Sequence, residues 1–234
     1  MAEISVTLSA NAGIALRFGS RNIWVDALHS QKQAGFSAVR DSLYRQIIDG
    51  AALGAPDYIC VTHCHPDHYC KDMLLQAKEM WPNATICMPE REVDSQILVT
   101  GDSQNVGDGI EFIRLPHEGA QYAQVKHYGI LIHWAGKHIL IAGDCETASG
   151  VLAHAIGDRP IDLAILNFPW ITLAKGRNFL TQVMKPKKVL VCHLPFSEDD
   201  VNGFRLSAQR NAQQLNFADV RLLQEPLQTE VINI

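Results

Sequence analysis

Polar and apolar residues alternate at the start of the chain, where Ile4, Val6 and Leu8 recur with the period of a half-buried strand. Residues 3–9, 13–18 and 22–26 read as three short strands of an opening meander. The period then changes. Val39, Leu43 and Ile47 recur at helical spacing between Ser37, a candidate N-cap, and Gly50, a stop. The apolar run Tyr58-Ile59-Cys60-Val61 reads as a strand, and Met73, Leu74, Ala77 and Met80 predict a helix over 67–80. A strand at 84–88 and a helix over 90–98 come next. Strands at 111–115, 126–134 and 138–142 form a second meander. A helix near 148–155, a strand at 161–166, a helix near 178–184 and a strand at 188–192 follow. The chain closes with a helix over 199–214 and strands near 220–223 and 230–233.

Strands alternating with helices predict an α/β protein whose mixed sheets are covered by helices. The segments 57–63 and 187–193 have the same form, an apolar strand ending on histidine, so the chain reads as two similar halves. No linker, repeat array or low-complexity tract divides it, and one domain over 1–234 is expected.

Composition narrows the class. A chain of 234 residues, 47% hydrophobic, can bury a substantial core. A net charge of −5 argues against a nucleic-acid surface. No apolar run approaches the roughly 18 residues that span a bilayer, so no membrane segment is expected. The opening Met-Ala-Glu-Ile lacks the basic start of a signal peptide. Six cysteines, at 60, 64, 70, 87, 145 and 192, form no Cys-x-x-Cys pair, which reads as reduced thiols and a cytoplasmic location.

Chemistry concentrates in residues 62–68, Thr-His-Cys-His-Pro-Asp-His. Packing gains little from clustered imidazoles and a carboxylate unless something binds them. In extended backbone His63 and His65 point the same way and can face one ion, with Cys64 turned away. Pro66 suits the first position of a helix. Asp67 and His68 in its first turn lie about 100° apart and can serve a second ion. There the helix dipole repels cations, so Asp67 supplies the needed negative charge.

The run His-x-His-x-Asp-His resembles the hallmark of the metallo-β-lactamase superfamily, in which a distant His, an Asp and a final His follow. The strand at 110–115 leads to His117, the strand at 139–142 to Gly143-Asp144, and the strand at 189–192 to His193. The resemblance covers nearly the whole chain and implies a four-layer αββα sandwich with metals at one edge between the sheets. It also implies that His63, His65 and His117 hold one metal and that Asp67, His68 and His193 hold another. Asp144 would bridge them together with a water or hydroxide. Ligands of this type suit zinc first, with manganese or iron also accommodated.

The implied activity is that of a binuclear metal-dependent hydrolase acting on a small-molecule ester, lactone, amide or phosphodiester. Asp67 would orient the attacking hydroxide or take up a proton. His127 is a rival third ligand, and with Tyr128 a candidate acid for the leaving group. Asp26 closes the third strand, where it could orient a ligand imidazole or form a turn. Cys145 could approach a metal or be an inert thiol. The other histidines (His29, His133, His138 and His154) read as surface or strand residues. In the segment 168–177, read as a loop, Trp170 could cover an apolar group and Lys175 or Arg177 could meet an anion. Pro195-Phe196 could form a pocket wall.

Within the superfamily, Asp144 in place of Cys and the short segment after His193 favour the compact branch that includes ascorbate-6-phosphate lactonase-like proteins. A mononuclear iron enzyme of redox or sulfur-oxidising type and a non-catalytic sensor are the alternatives. The expected partner is a small-molecule substrate, with neither nucleic acid nor membrane; a homo-oligomer is compatible with the sequence.

Overall fold

The structure is a computed structural model that describes residues 3–33, 35–216 and 218–234. The chain divides into two compact units. The first comprises residues 1–99, 193–202 and 223–234, and the second comprises 100–192 and 203–222. Strands and helices are numbered along the chain, β1–β14 and α1–α6.

The first unit is built on a seven-stranded sheet of order β14-β1-β2-β3-β4-β5-β6. Its strands are β1 Glu3–Leu8, β2 Ile14–Phe18, β3 Arg21–Val25, β4 Tyr58–Cys60, β5 Thr85–Met88, β6 Ile97–Leu98 and β14 Thr229–Asn233. From β14 to β3 the strands run antiparallel, and from β3 to β6 they run parallel. β1 shows why the alternating pattern reads correctly: Ile4, Val6 and Leu8 are all fully buried. Helices α1 Asp41–Ile48 and α2 Lys71–Met80 belong to this unit, burying Leu43 and Ile47, and Met73, Leu74 and Ala77 respectively.

A second seven-stranded sheet has the order β13-β12-β11-β10-β9-β8-β7. Its strands are β7 Ser103–Gly107, β8 Ile110–Arg114, β9 Tyr128–Trp134, β10 Lys137–Ile141, β11 Leu163–Asn167, β12 Lys188–Cys192 and β13 Asp219–Leu222. It too passes from an antiparallel meander, β7 to β10, to parallel strands, β10 to β13. Helices α3 Gly150–Ile156, α4 Pro169–Thr172, α5 Ala174–Phe179 and α6 Phe204–Ala212 belong to it. The likeness of the halves expected from the sequence is thus a likeness of sheets. Among the described residues no helix is long and apolar enough to cross a membrane.

Four expectations are corrected. Residues 90–98 form no helix, because the buried Gln96 side chain replaces the helical bonds. Its Oε1 accepts the Glu92 and Val93 N–H groups at 2.6 and 2.9 Å, and its Nε2 donates to Glu90 O at 2.6 Å. Ser37 is not a cap; α1 begins at Asp41, and the Ser37 hydroxyl donates to Asp199 at 2.8 Å and accepts from the Phe196 N–H at 2.8 Å. Residues 66–68 make a turn ahead of α2, which starts only at Lys71. The segment 168–177 is not an open loop but α4 and the start of α5.

Candidate metal centre

In the first unit the site grows from the carboxyl ends of parallel strands, the usual place for ligands in such sheets. Asp26 follows β3 in a left-handed backbone conformation, φ 50°, and is buried. Its Oδ1 accepts the Thr62 N–H at 2.7 Å, while Oδ2 accepts the Thr62 hydroxyl at 2.6 Å and His68 Nδ1 at 2.9 Å. The Thr62 hydroxyl has given its one proton to Asp26, so at 3.0 Å it accepts from His63 Nδ1. One carboxylate therefore fixes two imidazoles, His68 directly and His63 through Thr62. Both are held as the tautomer whose Nε2 carries the lone pair.

His68 Nε2 lies 3.2 Å from His193 Nε2, and Asp67 Oδ2 lies 3.7 Å from the same His193 atom. Ligand atoms of Asp67, His68 and His193 all fall within 4.8 Å of one another. Two imidazoles bound tetrahedrally at about 2.0–2.1 Å have donor atoms roughly 3.3 Å apart, so this spacing fits a divalent cation. His193 sits at φ 59°, donates its N–H to Asn11 O at 2.8 Å, and has its ring perpendicular to that of Phe36, with centroids 4.7 Å apart. The His63 and His65 rings have centroids 4.6 Å apart in a T-shaped arrangement.

Asn11 was not foreseen. Its carboxamide donates to Asp67 O at 3.2 Å and to Asp67 Oδ2 at 3.4 Å, from a residue itself at φ 51°. The carboxylate of Asp67 is thus steadied by a side-chain amide, in a turn that precedes the helix beginning at Lys71. His29 is buried, not superficial, and its Nε2 lies 3.1 Å from Ala10 O. Burial pushes its pKa down to about 4, so the ring is neutral at pH 7.

The second unit holds the remaining predicted residues. β8 leads to His117, whose Nδ1 lies 2.8 Å from Glu118 O and so carries the proton. His117 Nε2 is 3.7 Å from Asp144 Oδ2. Asp144, beyond β10, is steadied twice: its N–H donates to His127 Nε2 at 2.9 Å, and Asn167 Nδ2 donates to its Oδ1 at 3.2 Å. Asn167, at the end of β11, also escaped the sequence reading.

This geometry revises the reading of His127. The ring is fully buried, Nδ1 faces Leu115 O at 3.2 Å, and Nε2 accepts from Asp144, so neither nitrogen can protonate a leaving group. Tyr128 is buried as well, with its hydroxyl on Gly101 O at 3.0 Å. Trp170 is fully buried, and Arg177 donates to Ile171 O, Thr172 O and Asn211 Oδ1, so neither is available to a substrate. Lys175 pairs with Glu118 at 2.8 Å. Phe196 packs in the core. The Cys145 thiol is buried, which pushes its pKa far above the ordinary value and keeps it protonated.

No family model and no curated protein matches the chain. Solved structures do. Igni18, a metallo hydrolase from the archaeon Ignicoccus hospitalis, matches with a TM-score of 0.68 at 14% identity, over 99% of each chain. The metallo-β-lactamase fold protein YhfI from Bacillus subtilis matches with a TM-score of 0.65 at 13% identity, over 99% of this chain and 100% of its own. CmlA, a diiron β-hydroxylase from Streptomyces venezuelae, matches with a TM-score of 0.64 at 14% identity, over 99% of this chain but 54% of its own. The chain has the metallo-β-lactamase fold, as the strand-end motifs implied.

Proposed function

We propose that this chain, on the premise of its metallo-β-lactamase fold, is a binuclear metal-dependent hydrolase of a small-molecule ester, lactone, amide or phosphodiester. The proposed ligands are His63, His65 and His117 for one divalent ion and Asp67, His68 and His193 for the other, with Asp144 shared. One observation carries the reading: His63, His68 and His117 each have Nδ1 engaged by an acceptor, which presents Nε2 for ligation. When bound, two such cations would activate a shared water near neutral pH and polarise the bond under attack.

The chain's own residues do the rest. Asp67 Oδ2, steadied by Asn11, orients the attacking water and accepts its proton. His127 holds the backbone N–H of Asp144, and Asn167 holds its carboxylate. His127 is therefore a positioning residue in this proposal. Zinc is the first expectation, with manganese or iron also compatible with imidazole and carboxylate donors. The metallo hydrolase Igni18 among the similar structures supports the hydrolytic reading.

A second reading is supported by CmlA: an iron enzyme with oxidative chemistry. Elemental analysis of protein purified without added metal separates the two. About two zinc or manganese ions per chain, with chelator-sensitive turnover in a panel of esters, lactones, amides and phosphodiesters, is expected. Iron as the resident metal favours the redox reading, and no chelator-sensitive turnover across the panel refutes the hydrolase.

A further inference from the structure

A cavity of about 850 Å³ opens in the second unit, walled by β8, the segment that follows it as far as Val125, and α3. His117 forms part of its wall, so the cavity reaches a proposed metal ligand. Much of the lining is apolar, including Ile113, Leu115, Val125 and Val151. Val151 on α3 keeps 52% of its surface in solvent, apolar area that a bound molecule would cover.

The cavity also contains an under-used cation. The Arg114 guanidinium lies 5.3 Å over the Tyr128 ring, and its closest acceptors are Tyr128 Oη and Val125 O, both at 3.5 Å. That is the outer limit of a hydrogen bond. Among the described residues it makes no ion pair with a carboxylate, whereas Arg159, the other guanidinium in the lining, is 3.1 Å from Glu111. A planar five-donor fork in a partly apolar wall matches one carboxylate in bidentate fashion. Asp102, Glu111 and Glu146 line the same cavity, three carboxylates against two guanidiniums. A dianion such as a phosphate monoester would be repelled by that balance about twice as strongly as a single carboxylate, which leaves the direct contact with Arg114 to decide for the monoanion.

We propose that this cavity binds the non-reacting part of the substrate, an apolar body bearing one carboxylate held by Arg114, with the scissile bond at the His117 end. The proposal rests on the hydrolase reading and narrows its substrates to esters, lactones or amides of amphipathic monocarboxylates. It sets aside the phosphorylated sugar acids of the lactonase branch.

Isothermal titration calorimetry with 4-phenylbutyrate, 4-phenylbutan-1-ol and 4-phenylbutyl phosphate tests it, on the protein as purified and after chelation. The acid should bind at least tenfold more tightly than the alcohol or the phosphate in both preparations. Arg114→Gln should erase that preference, and Arg114→Lys should keep part of it. Val151→Trp, a change on an exposed helix position, should weaken all three probes while thermal melting shows an intact fold. No measurable binding, equal affinity for acid and alcohol, tightest binding of the phosphate, or a preference that survives Arg114→Gln would each overturn the proposal. The last outcome would put the carboxylate on the metals. Failure of the hydrolase reading is a different result: the probe binds as expected, but no member of the substrate panel turns over.

Discussion

Replacing Asp26 with asparagine keeps the shape of the side chain and reverses two hydrogen bonds. The carboxamide oxygen can still accept the Thr62 N–H, now held at 2.7 Å by Asp26 Oδ1. The amide nitrogen then faces the Thr62 hydroxyl and His68 Nδ1, which stand 2.6 and 2.9 Å from Oδ2. It can only donate, so His68 must take the tautomer with its proton on Nε2. That proton points at His193 Nε2, 3.2 Å away, and closes the position to a cation. Because the buried groups keep partners, the fold should lose only about 1–2 kcal/mol, a net cost of one to two weakened hydrogen bonds. Metal affinity at the Asp67–His68–His193 group should fall by about 100-fold, the upper range for loss of an orienting partner. Because the Thr62 hydroxyl loses its acceptor and can turn its proton onto His63 Nδ1, 3.0 Å away, equilibrium dialysis against zinc followed by elemental analysis should show occupancy falling well below two ions per chain, with both groups weakened. An Asp26→Asn protein that binds zinc with unchanged stoichiometry and affinity would refute the orienting role of Asp26.

His117→Ala should reduce metal-dependent turnover far more than His127→Ala. His127→Ala should cost about 2–4 kcal/mol in urea denaturation, since it empties a buried site and strands the Asp144 N–H; the reverse ranking would exchange their roles. At Asp162, burial pushes the carboxyl pKa up, but Lys187 Nζ at 2.8 Å and the His138 N–H at 3.0 Å outweigh it and hold the pKa low. Its stabilisation is full above the unfolded value of about 3.9 and is lost as pH falls through the lowered folded value. Asp162→Asn should therefore flatten the acid limb of a stability–pH curve, and an unchanged limb would contradict the pairing. Gly176→Ala would place a Cβ 2.4 Å from Trp170 O and 2.7 Å from Thr147 Cγ2. It should lower stability by about 1–3 kcal/mol in a thermal melt, and a neutral result would mean that α5 shifts freely.

What could be read along the chain was whatever repeats over a few residues. Alternation in β1, the 3–4 spacing in α1 and α2, and the apolar runs of β4, β10, β11 and β12 record which face each element buries. Removing that face from water is the main force holding each of them in place. The proposed ligands were legible for the same reason: each follows an apolar run, and imidazoles and carboxylates gathered at strand ends have no packing use. Hydrogen-bond partners were not legible. Asn11 meets Asp67 across 56 residues, Ser37 meets Asp199 across 162, and Asn167 meets Asp144 across 23. His127 looked like a free imidazole near the end of a strand, and became a buried acceptor only through the fold around Asp144. Residues 90–98 had a sequence compatible with helix, yet Gln96 took up their backbone groups instead. Local pattern determines which side of a strand or helix leaves water. Which partner satisfies a buried polar atom is decided when distant segments pack, because desolvation makes an unpaired group costly wherever the chain has placed it.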